Sequence, residues 1–153
     1  MPDTTLGAVG PEGVPSTRFE VEMAAHEGAL DHAQDLVEKL FGEHPDLSAR
    51  DRFRFETAVV EVLANIVEHA FTGDEVAGLR RLRLTLTVTP TELTALLADN
   101  GEPAGVDLSA VIMPGEDAES GRGLALALAA VDDLQYRHVG GRNYWDLRCH
   151  RGA

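Results

Sequence analysis

Cysteine is almost absent from this chain: 153 residues contain one, Cys149. A lone thiol closes no internal disulfide, so a disulfide-stapled secreted scaffold is excluded. Positive charge is also scarce. Thirteen Lys and Arg stand against 26 Asp and Glu, a formal net charge of −13. Such a field opposes non-specific contact with DNA or an anionic membrane. An anionic ligand would need local help from a metal ion, an arginine or a helix N-terminus. Long apolar runs are missing too. The longest, LALALAAV at 124–131, is far short of the ~20 residues that span a bilayer. The start lacks the basic and apolar segments of a signal peptide. The expectation is a cytoplasmic protein that contacts neither membrane nor nucleic acid directly.

What is present describes a globular domain: 44% hydrophobic and 25% charged residues, in a length that buries a real core. Residues 1–17, rich in Gly and Pro, read as a flexible tail, and 18–150 as one domain. TRFEVEMAA places Phe19, Val21 and Met23 on one side of a strand. Ala29, Leu30, Ala33, Leu36, Val37, Leu40 and Phe41 recur at helical spacing over 28–43. Ser48 or Asp46 is placed to cap a second helix running to about Ala70. Two strands follow, joined at Thr89-Pro90-Thr91-Glu92. A long loop rich in Gly, Pro and acid leads to a short apolar helix. A last hairpin turns over Gly140-Gly141-Arg142. Helices do not alternate one for one with strands, which disfavours a doubly wound sheet. The order predicts an α+β two-layer sandwich: a mixed, mainly antiparallel sheet with helices on one face.

Three short segments carry candidate chemistry. The second helix has a broad apolar arc and a polar stripe with Glu61 and Asn65 one turn apart. No Lys or Arg stands on that stripe. A carboxylate beside an amide suits a hard cation such as Mg²⁺, or general-base work on a nearby hydroxyl. Taken alone, the stripe is more often a plain solvated face. The second segment is Asp99-Asn100-Gly101, where an apolar strand ends in a carboxylate. This is ordinary turn chemistry, yet a buried carboxylate also accepts a hydrogen bond from a base amino group, and glycine lets a flat ring approach. The third is ESGRGLALAL, in which Gly121 and Gly123 lead into a helix with Ser120 as a possible cap. Free N–H groups there favour phosphate, and Arg122 adds charge. By itself it is equally a glycine-bearing entry to a core helix.

Together, in this order, the segments resemble the GHKL ATPase superfamily, with its N box, G1 box, lid and G2 box. Within it the chain resembles the stand-alone anti-sigma-factor serine/threonine kinases of bacteria. E-V-L-A-N-I-V-E-H-A-F, starting at Glu61, matches their N box; D-N-G matches the start of G1; G-R-G-L-A-L matches G2. The resemblance covers about residues 18–149 and implies ATP and Mg²⁺ as cofactors. Carried over by position, Asn65 holds Mg²⁺ and Glu61 activates the attacking serine hydroxyl. Asp99 reads the adenine amino group with Gly101 beside the ring. Gly121, Arg122, Gly123 and Leu124 form the phosphate-side turn. The partners implied are a sigma factor, a STAS-type anti-anti-sigma protein and a second copy of the chain. Two features depart from the pattern. Pro103 replaces the second G1 glycine, and the lid segment MPGEDAES is acidic. They motivate the alternative of a catalytically weak or inactive GHKL-like module that sequesters a regulator. A detached ATP domain of a sensor histidine kinase is a third reading, on His26-Glu27, without the flanking Arg and Pro such a site carries.

Overall fold

The computed structural model of the chain describes residues 16–26, 28–70, 80–104, 108 and 122–152. Its elements are β1 (Thr17–Ala24), α1 (Gly28–Gly42), α2 (Ala49–Asn65) ending in a π turn (Ile66–Ala70), β2 (Arg81–Val88), β3 (Glu92–Asp99), α3 (Arg122–Ala130), β4 (Asp133–Val139) and β5 (Arg142–His150). The order of strands and helices is the one the sequence pattern predicts. The sheet runs β1-β2-β3-β5-β4, and every pairing is antiparallel. The expected mixed sheet thus resolves into a purely antiparallel one among the described strands. β3 and β4, on either side of α3 in the chain, do run in the same direction. β5 is inserted between them, so no parallel ladder forms.

Alternation along the strands puts one side chain in two under the helices. Phe19, Val21, Leu82, Leu84, Leu86, Leu93, Leu97, Trp145 and Leu147 are all buried there. α1 closes over them with Ala33, Leu36, Val37 and Leu40. Side-chain caps and turns set the joints. Asp51 N–H donates to Ser48 Oγ at 3.1 Å, so Ser48 is the cap of α2. Asp46, the other candidate, instead accepts from Arg151 Nη2 at 2.5 Å. Thr89 and Glu92 close the first hairpin, N–H to carbonyl at 2.9 Å. Gly140 and Gly141 have φ of 60° and 77°, the left-handed pair that a two-residue type I′ hairpin requires.

The chain end fixes the direction of α2. Gly152 N–H donates to Asp51 Oδ2 at 2.8 Å, and Arg54 Nη1 donates to the His150 carbonyl at 3.4 Å. The start of α2 is therefore pinned to the end of β5. Seventeen residues at ~1.5 Å each carry its other end about 25 Å back along the strand. Glu61 and Asn65 are thereby brought toward the edge of the sheet where β5 begins and β3 ends.

Candidate nucleotide site

Arg54, Ala58, Glu61 and Asn65 recur at four-, three- and four-residue steps and so form one ridge on α2. α3 lies along this ridge. Arg54 Nε donates to the carbonyl of Ala130, the last residue of α3, at 2.9 Å. At the other end, a Cβ placed on Gly123 would stand 2.6 Å from Glu61 Oε2. The two helices are antiparallel, matched over the same two turns of each. Ala58, between the two contacts, is fully buried, and its small side chain lets the helices close. By helical position Ala58 falls on the same side as the polar stripe that holds Glu61 and Asn65. A second helix covers that stripe, which periodicity within α2 alone cannot reveal. The same packing directs the N-terminus of α3 to the Glu61 and Asn65 end of the ridge. A carboxylate beside a helix N-terminus is favourably placed in the helix dipole.

α2 does not remain α-helical to Ala70 as expected. It is α-helical to Asn65 and widens into a π turn over Ile66–Ala70. Such turns interrupt α-helices mostly as single turns, frequently at functional sites. The candidate Asn65 is thus the last residue before the change of pitch.

Asp99 closes β3 opposite Asn143, at the start of β5. It is wholly buried. Its Oδ1 accepts from Gly101 N–H at 2.8 Å and from Asn143 Nδ2 at 2.9 Å. Its Oδ2 is buried with no hydrogen-bond partner among the described residues. Burial pushes the Asp99 carboxyl above its ordinary value, and the donors from Asn143 and Gly101 and the nearby His138 pull it partly back. An acceptor atom left unsatisfied in the interior costs on the order of 1–3 kcal/mol. A ligand N–H donor at Oδ2 would remove that cost.

Comparison with known proteins places this arrangement. The histidine kinase-like ATPase domain matches residues 19–148. The chain belongs to this family. It is 36% identical over 109 residues to the serine/threonine-protein kinase BtrW of Bordetella bronchiseptica, covering 67% of this chain and 73% of that one. A crystal structure of the RsbU and RsbW domains of a Mycobacterium tuberculosis protein superposes with a TM-score of 0.57 at 19% identity. That match covers 88% of this chain but 33% of the longer one, and speaks for the fold alone. The resemblance read from the three sequence boxes is borne out.

Among the described residues, the segment read as an N box lies on α2, the Asp99-Asn100-Gly101 segment begins at the end of β3, and Arg122, Gly123 and Leu124 open α3. Glu61 and Asn65 are half-buried, Leu124 is in the core, and Arg122 is exposed at the first turn of α3. Glu61 and Gly123 are brought into contact, as are Asp99 and Gly101. Gly121, Ser120 and the lid segment MPGEDAES lie outside the described residues, as do Glu27 and residues 1–15. Sequence reasoning missed Asn143, Tyr136 and His138, which surround Asp99 from β4 and β5. The one available signal was that Tyr136 and His138 fall on the inward period of β4. Nothing in the sequence pairs Asn143 with a residue 44 positions earlier.

Proposed function

We propose that this protein is an ATP-dependent serine/threonine protein kinase of the anti-sigma type. The single observation that carries the reading is the Glu61 carboxylate held against Gly123, at the N-terminus of α3. A carboxylate standing there can take the proton of a hydroxyl while that hydroxyl attacks a phosphoryl group bound at the helix end. The serine oxygen–phosphorus bond forms, the bond to the β-phosphate oxygen breaks, and the proton passes to Glu61. Asp99 Oδ2 accepts from the adenine amino group, with Gly101 beside the ring. Gly121, Arg122, Gly123 and Leu124 supply the phosphate-side turn.

Among the described residues no cluster of three His, Cys, Asp or Glu side chains cages a metal ion. Asn65 would hold Mg²⁺ beside the nucleotide phosphates, a common setting for this ion. Bound there, it offsets phosphate charge, which a chain at −13 otherwise repels. The reading extends to a STAS-type anti-anti-sigma substrate, a sequestered sigma factor and a homodimer, all acting in the cytoplasm. It rests on similarity to a serine/threonine kinase and on the three boxes. The chain then forms a single kinase domain over 18–150 behind an N-terminal tail.

The deciding experiment is transfer of labelled γ-phosphate to a cognate STAS protein. Transfer is expected from the wild type, and Glu61→Ala should abolish it while retaining Mg-ATP affinity. Nucleotide binding without transfer to a verified partner would leave a sequestering module instead of a kinase.

A further inference from the structure

Asn143 is 1% exposed, and both ends of its amide are occupied. Nδ2 donates to Asp99 Oδ1 at 2.9 Å, to the Glu102 carbonyl at 2.7 Å and to the Gly101 carbonyl at 3.3 Å. Oδ1 accepts from the Tyr136 hydroxyl and lies 3.0 Å from His138 Nδ1. Three oxygens around one end admit only the NH₂ group there, so the amide has a single orientation. The rest of the network follows from it. The Tyr136 hydroxyl donates to Asn143 and accepts from Ala104 N–H at 2.7 Å. The Tyr136 ring is itself fixed against Trp145, at 4.5 Å between centroids. His138 carries its proton on Nδ1.

This knot ties down the stretch 101–104, where Pro103 takes the place of a second glycine. It also leaves the two oxygens of Asp99 unequal. Oδ1 holds two N–H donors and has no place for a proton, while no described residue donates to Oδ2. We propose that Asn143, held by Tyr136 and His138, is the positioning residue for base selection. It fixes Asp99 with Oδ2 open among the described residues, so that the pocket prefers a base carrying an exocyclic amino group.

The proposal rests on the nucleotide reading above, and the test separates the two. Binding of ATP and of purine riboside triphosphate, which lacks only the 6-amino group, is measured by calorimetry. A hydrogen bond to a charged carboxylate predicts a wild-type preference for ATP of roughly tenfold or more. A wild type that binds both equally overturns the reading of Asp99 itself, and this proposal with it. Given a wild-type preference, Asn143→Ala should reduce it to within about threefold and leave affinity for the deamino analogue nearly unchanged. Tyr136→Phe, a milder change that keeps the ring against Trp145, should give an intermediate ratio. In both variants, free of nucleotide, the amides of Gly101 and Ala104 should exchange faster. An unchanged ratio in both variants, or equal loss of affinity for the two nucleotides, would show that Asn143 only supports the fold and would overturn the proposal.

Discussion

Asp99 is the residue at which burial and the proposed function conflict. Its folded carboxyl takes up a proton at higher pH than an ordinary aspartate. The folded state therefore binds more protons than the unfolded chain in that range, and its stability from this group falls as pH rises through the folded value. Ligand binding has the opposite sign, because only the ionised form accepts an N–H at both oxygens. Nucleotide affinity should weaken on acidification at a pH above the usual aspartate range. Asp99→Asn should remove that acid limb, raise the melting temperature of the ligand-free protein near neutral pH, and lose most ATP affinity. Calorimetric titrations from pH 8 to 5, together with thermal melts, check all three. Glu61 and Asn65 were legible as candidates because they are close in sequence and share one helical face. Asn143 was not, because its role depends on a strand register that no local pattern encodes.

At the scale of elements, the antiparallel seat of α3 on α2 makes a sharp prediction at each end. Gly123→Ala should favour the helix by up to ~1 kcal/mol, and its methyl would displace the flexible end of Glu61. The melting temperature should hold or rise while phosphoryl transfer falls by at least about tenfold, the cost of ~1.4 kcal/mol in the barrier. A fall in stability instead would mean that α2 and α3 part. At the opposite end, Arg54 joins the Ala130 carbonyl, Asp51, Asp132 at 3.0 Å and the His150 carbonyl. Its side chain is 18% exposed, so the charges are only partly screened. Arg54→Ala should cost on the order of 2–3 kcal/mol by stranding these acceptors, read as a lower urea midpoint with unchanged slope. The helices and hairpins were readable because capping, alternation and turn chemistry are local. The π turn after Asn65 and the burial of Ala58 were not. The burial of Ala58 depends on what packs against α2.

At the scale of the whole molecule, nucleotide binding should be visible as stability. A ligand at a hundredfold excess over its dissociation constant adds about 2.7 kcal/mol to the folded state. For a domain of this size that corresponds to a rise of roughly 5–10 °C in melting temperature. The rise should appear with Mg-ATP and be about half as large with the deamino analogue at the same concentration, if the analogue binds tenfold more weakly. Differential scanning of wild type and Asp99→Asn tests this, since in the variant the extra shift with Mg-ATP over the analogue should disappear.

The sequence by itself determined the kinds of elements, their order and the three chemical segments. These are written in neighbouring residues: alternation for strands, a 3.6-residue period for helices, Ser48 at a cap, paired glycines in a hairpin. Tertiary structure decided which segments meet. The insertion of β5 between β3 and β4 sets Asn143 opposite Asp99 and leaves one carboxylate oxygen open. The antiparallel seating of α3 puts Gly123 against Glu61. Such contacts join residues tens of positions apart. They are fixed by the packing of whole faces, and a reading of neighbouring residues cannot supply them.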